Sequence, residues 1–201
     1  MTLDVFLHYF EYVAAAVALA YVILQIFQKP LMWYLAIFTA LFYFVVYVHN
    51  ELYAMALVQV YLVGAGIYGL VEWTRSKKKA VGTENEGRIL IRPFEWKVGA
   101  VSIVLAVAVF ILLFHVLPRE EGGALWRPAM DAFLATNTML ATFFMGRRYI
   151  VAWVMWFLND IISTYAYFHL GMYPTMVLYA IYVFTAVVGY LNWKKNGVWE
   201  K

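Results

Sequence analysis

No cysteine occurs in the chain, so disulfides and thiolate-held metals are excluded together. Charge is nearly as scarce, at 13% of the 201 residues. No G-x-x-x-x-G-K-[ST] stretch is present, so the chain cannot itself drive transport through a P-loop. The last apolar stretch has no internal Lys, which removes a retinal Schiff base. No relay of acids crosses the apolar segments, so coupling to protons or sodium is not suggested. No cofactor or metal is expected. What the chain has instead is apolar: 65% of its residues, against about 45–50% in soluble domains.

A membrane helix needs roughly 20 mostly apolar residues, and seven stretches approach that. They are Tyr12–Gln28, Pro30–Val48, Leu52–Val71, Val98–Pro118, Ala129–Gly146, Tyr149–Phe168 and Leu170–Trp193. Their runs are continuous and lack the period-two alternation of barrel strands. The fold class expected is therefore an all-α membrane protein of seven transmembrane helices.

The cations sit at segment ends. With the N-terminus outside, the inner segments hold Lys29, the cluster from Arg75 to Lys97, Arg147, Arg148, Lys194, Lys195 and Lys201. That is 13 of 15 basic residues, leaving Arg119 and Arg127 outside. The positive-inside rule then predicts N-out and C-in. Asp4 and Glu11 before the first stretch argue against a basic signal-peptide n-region. Clustering at loop ends also speaks against nucleic-acid binding, despite a net charge of +3. Residues 74–97, with the run SKKK, are read as a solvated cytoplasmic linker.

Sliding residues 29–73 onto 149–193, an offset of 120, brings seven identities into register without a gap. They are Trp33/Trp153, Tyr47/Tyr167, His49/His169, Tyr53/Tyr173, Val63/Val183, Gly69/Gly189 and Trp73/Trp193. Helices 2–3 thus recur as helices 6–7, and helix 4 stands between the copies. This predicts a parallel 3+1+3 duplication, a plan used by carriers whose site lies between two rocking halves. The corresponding divisions are residues 1–73, the linker 74–97, a crossing helix with its outer loop at 98–128, and 129–201.

The sixth stretch holds WVMWFLND, Trp153 to Asp160. At 100° per residue, Trp153, Trp156, Asp160, Ser163 or Thr164, and Tyr167 share one arc, with Asn159 beside it. Asp160 is the one acid in the central part of any stretch. A midplane carboxylate costs about 2.5 kcal/mol or more on insertion scales, so it should face a cavity or a partner. Aromatic rings around a buried acceptor suit a flat, polar, cationic molecule. Trp153 has a second reading, because its mate Trp33, like Trp73 and Trp193, lies near a boundary where aromatic belts form. Gln59 in helix 3, its mate Tyr179 in helix 7, and Asn137 in helix 5 are further site candidates. Each mid-membrane amide reads equally as interhelical glue. Gly64, Gly66 and Gly69 predict close helix packing.

Leu52–Trp73 and Trp153–Trp193 resemble the PnuC family of bacterial vitamin-precursor transporters. The most specific element is W-x-x-W-x-x-x-N/D, met by Trp153, Trp156 and Asp160, with the helix-3 Gln matched by Gln59. The resemblance implies a seven-helix, homotrimeric facilitator of the bacterial inner membrane. Such proteins equilibrate a vitamin precursor across the bilayer, and a cytoplasmic kinase traps it. The nicotinamide riboside branch commonly has Asn at the positions of Asp160 and Gly66. Met32–Trp33 and Gly171–Thr175 look like the thiamine branch, PnuT. A carboxylate only accepts hydrogen bonds, which suits an aminopyrimidine donor beside a thiazolium charge. Thiamine is therefore the favoured small cationic substrate, with nicotinamide riboside the alternative. A sugar facilitator or a non-transporting membrane subunit would share the plan, but neither needs paired Trp with Asp. A membrane enzyme is not expected, because one central acid without a nucleophile–base pair defines no chemistry.

Overall fold

A computed structural model describes residues 19–49, 51, 53–117 and 126–200. The first stretch is therefore seen from residue 19 on; Asp4, Glu11 and Arg119 lie outside the described residues. Seven helical segments appear among them. Residues 19–26 are helical and are labelled α1. They are followed by α2 (Leu31–His49), α3 (Tyr53–Ala80), α4 (Trp96–Val116), α5 (Trp126–Gly146), α6 (Val151–His169) and α7 (Tyr173–Asn196). Two three-residue strands, β1 (Ile89–Ile91) and β2 (Gly197–Trp199), complete the set. Helices α2, α3 and α4 and residues 175–196 of α7 are long and apolar enough to cross a membrane. In α6, Asn159, Asp160, Ser163 and Thr164 interrupt the apolar sequence.

Packing follows the duplication in sequence. Helix α2 packs against α3, and α6 against α7, while α5 touches α3, α4 and α6. The same turn closes α1 and α5. Lys29 N–H reaches Leu24 O (2.8 Å) and Gln28 N–H reaches Gln25 O (3.0 Å); 120 residues on, Tyr149 reaches Phe144 O (2.9 Å) and Arg148 reaches Met145 O (2.9 Å). These are the two bonds of a Schellman cap, whose pivot residue takes a left-handed conformation. The pivots Gln28 and Arg148 have φ of 49° and 62°. At the opposite end Glu51 and Gly171, also 120 apart, are left-handed at 60° and 71°. The repeat thus extends to backbone bonds that side-chain identity does not encode.

The core gathers at the Arg148 end. Trp33, Trp73, Trp153 and Trp193 are all buried, with no more than 2% exposure. Trp33 meets Trp73 edge-on at 5.3 Å, and their mates Trp153 and Trp193 do so at 5.7 Å. Trp73 and Trp193 bridge the two pairs at 6.1 Å. Edge-on contacts of this kind add about 0.5–1.5 kcal/mol beyond area burial. A Cβ at Gly69 would overlap the Trp33 ring, and one at Gly189 the Trp153 ring. Glycine at both places is thus the condition for seating the indoles. Gly66 packs on Ile37 in the same way, whereas nothing among the described residues comes within 4 Å of a Cβ at Gly64.

The belt reading of these tryptophans is corrected by their burial: they pack against one another inside the bundle. The linker reading is corrected as well. Helix α3 runs past the expected boundary at residue 73 to Ala80, and Ile89, Leu90 and Ile91 are buried. Strand β1 pairs in parallel with β2, Leu90 opposite Val198. The linker is therefore drawn into the core by pairing with a segment about 100 residues away, which its own composition does not announce.

Candidate functional site

Asp160 stands at the middle of α6, and Asn159 and Asp160 are both 5% exposed. Each lies on the face of α6 that the preceding Trp156 and following Ser163 share. From α7, Tyr179 and Tyr182 lie within electrostatic range of Asp160. Tyr179 stacks on Tyr167 of α6 at 5.2 Å and meets Tyr182 edge-on at 5.7 Å. No hydrogen bond or salt bridge from the described residues reaches the Asp160 carboxylate. A buried carboxyl with two phenol rings in electrostatic range offers an acceptor and aromatic faces that suit a cation with a flat, polarisable body.

The amides divide differently. Asn137 on α5 donates its Nδ2 to Met155 O (3.0 Å) and to Asn159 Oδ1 (3.2 Å). Asn159 Nδ2 in turn faces Thr138 Oγ1 at 3.5 Å. Asn137 and Asn159 therefore tie α5 to α6, the glue reading left open for Asn137. Because Asn159 is held, the neighbouring Asp160 is fixed in rotation about the α6 axis. Thr164 Oγ1 also bonds back to Asp160 O (2.7 Å), which steadies the same turn.

Trp153 and Trp156, one turn apart, separate in role. Trp153 belongs to the tetrad at the helix end, seated on Gly189. Trp156 is half-buried, and its indole N–H is buried without a hydrogen-bond partner among the described residues. It remains a donor and a ring one turn from Asp160. Gln59 is buried on α3 and makes no hydrogen bond to the α6 or α7 groups among the described residues. The structure thus joins Asp160 with Tyr179, and Asn137 with Asn159, while Trp153 and Gln59 stand apart. Sequence reading missed Tyr182, although its i+3 spacing from Tyr179 put it on the same face.

A cleft of about 250 Å³ opens elsewhere, between α3, α4 and α5. Tyr61, Ser102, Thr136 and Phe143 are among its lining residues, and no residue of α6 or α7 is. Its walls are otherwise aliphatic, and it contains none of the Asp160 group. No cluster of three or more metal-ligating side chains occurs among the described residues.

The family pattern described as nicotinamide mononucleotide transporter matches residues 8–195. The chain belongs to this family. It is 25% identical over 173 residues to the nicotinamide riboside transporter PnuC of Escherichia coli (strain K12), covering 74% of this chain and 70% of that one. It is also 25% identical over 135 residues to the riboflavin/roseoflavin transporter RibM of Streptomyces davaonensis, covering 67% and 61%. A crystal structure of the vitamin B3 transporter PnuC matches with a TM-score of 0.64 at 20% identity, over 91% of this chain and 79% of that one. That likeness carries the fold. The protein is a multi-pass membrane transporter of the PnuC family, and the relatives it matches are transporters, not enzymes. None of the names of these relatives mentions thiamine.

Proposed function

We propose that the chain is a passive facilitator for a flat, cationic vitamin precursor, held mid-membrane by Asp160 between the rings of Trp156, Tyr179 and Tyr182. The observation that carries this reading is the Asp160 carboxyl, buried at the centre of α6 near aromatic side chains, with no hydrogen-bond or salt-bridge partner among the described residues. Nicotinamide riboside is the leading substrate, because relatives over most of the chain carry that name. Thiamine is the second reading, and Asp160 itself favours it: an acceptor-only group suits an aminopyrimidine donor.

The 120-residue recurrence of turns and Trp–Gly seats supports a 3+1+3 plan with parallel halves, divided near residues 80, 97 and 128. The concentration of Lys and Arg at the Arg148 end supports an N-out, C-in orientation with that end in the cytoplasm. The setting proposed is the bacterial inner membrane, with homotrimers and a cytoplasmic kinase that traps the product. The test is uptake by liposomes holding purified protein and no ion gradient or ATP. Nicotinamide riboside, thiamine and riboflavin would be compared. Equilibration of one cation to equal concentrations on both sides is expected. Accumulation above equality, driven by sodium or protons, would overturn the passive reading.

A further inference from the structure

The inner ends of the two repeats are joined by a short parallel strand pair, and the joining residues are themselves repeat mates. Gln28, at the left-handed turn of the first repeat, is 1% exposed. Its side-chain amide donates to Leu90 O and accepts from Leu90 N–H, both at 2.8 Å, so it stands in for a third strand beside β1. Arg148, at the equivalent turn, is 3% exposed. Its carbonyl accepts from Arg92 N–H (3.2 Å), just past β1. Its guanidinium grips both oxygens of Glu200, just past β2, where Ser76 of α3 also donates (2.9 Å). Glu200 N–H closes the ladder on Ile91 O (2.8 Å).

Beneath this pair lie the four tryptophans. Two strands of three residues are marginal alone in water. They persist here because Gln28 of the first repeat holds β1, while Arg148 of the second holds the residues that follow both strands. An arrangement that depends on two separate bodies comes apart when those bodies separate. The hydrophobic tetrad alone would pack the end; a charge-gripped ladder adds a contact that breaks and re-forms as one unit. Resting on the proposal that substrate passes between the repeats, we infer that β1, β2 and the Gln28, Arg148 and Glu200 side chains form a clasp that must part for release at this end.

Because the chain has no cysteine, Leu90→Cys with Val198→Cys introduces the only thiols, at paired positions. Oxidised to the disulfide in liposomes, the double variant should bind substrate as before but carry it at least tenfold more slowly, with recovery on reduction. Equal flux in both redox states would overturn the clasp. Amide hydrogen exchange at residues 28–33 and 148–153 reads the same element without any substrate. Oxidation should slow it at least tenfold, and unchanged exchange would also overturn the inference. If wild-type protein carries none of the three vitamins, the transport reading fails, and the exchange result still decides whether the clasp opens. Glu200→Lys, which places a cation against Arg148, should act in the opposite direction and speed exchange there. Exchange left unchanged by Glu200→Lys would contradict the role given to the Arg148 grip.

Discussion

Residues 29–73 and 149–193 use the same parts at their ends and different parts in their middles. Both begin after a Schellman turn with a left-handed polar residue, and both seat a tryptophan on a glycine. Midway along, the first repeat places Ala36, Thr39, Ala40, Gln59 and Leu62, where the second has Trp156, Asn159, Asp160, Tyr179 and Tyr182. The ends are constrained by packing, which tolerates little change in volume. In the middles Ala40, Gln59, Asn159 and Asp160 are buried too, but the side chains differ, and residues 149–193 carry most of the polar groups.

The strongest challenge to this comparison is at the tetrad. Trp73→Ala and Trp193→Ala each remove a fully buried indole, a change that costs about 3–5 kcal/mol in cores. Equivalent seats should lose similar amounts of thermal stability in detergent. A large loss for one and a negligible loss for the other would break the equivalence of the ends.

A smaller effect sharpens the contrast between the middles. Asn137→Leu removes the donor to Met155 O and Asn159 and should cost about 0.6–1.7 kcal/mol, the range of interhelical hydrogen bonds in membranes. Thr39→Asn on the first repeat, at the position of Asn159, should give no matching gain, because residue 17, the repeat equivalent of Asn137, is Val. Differential scanning of the two variants checks both. A gain from Thr39→Asn equal to the loss from Asn137→Leu would mean the middles are also interchangeable.

The smallest expected effect is in acid. Burial alone would raise the Glu200 carboxyl, but hydrogen bonds from Arg148 and Ser76 and the nearby charges of Arg148 and Arg92 outweigh it and hold it below the ordinary value. A carboxyl lowered on folding contributes stability above its unfolded pKa and loses it as pH falls through the folded one. Melting temperature should therefore fall below about pH 4.5 more steeply in wild type than in Glu200→Gln. Identical pH profiles would remove Glu200 from the tie between the repeats.

Much of the bundle was legible because lipid demands continuous apolar runs, and because Trp and Gly identities mark the packed ends. The shared caps were not legible, since Gln28, Glu51 and Arg148 occupy left-handed positions where glycine is the usual signal. Depth was misread for Trp73 and Trp193: distance from a helix end does not say whether a ring faces lipid or a neighbouring helix. Burial of β1 depends on a distant strand and on Gln28, so residues 74–97 read alone as solvated. Helical spacing was enough to place Asp160 and Trp156 on one face of α6. It could not separate Trp153, whose neighbour Gly189 lies on another helix, nor decide that Asn137 and Asn159 satisfy each other.

The account rests on Asp160 as the partner of the bound cation, and titration calorimetry of wild type against Asp160→Asn tests it most directly. Loss of a charged hydrogen bond should weaken the favoured vitamin by about 1.5–3 kcal/mol, while the melting temperature of the empty protein stays within a few degrees or rises. If thiamine is that vitamin, the variant should lose more for thiamine than for nicotinamide riboside, whose carboxamide the new amide can pair with. Unchanged affinity for every vitamin together with a lowered melting temperature would contradict the account and make Asp160 a tie between helices.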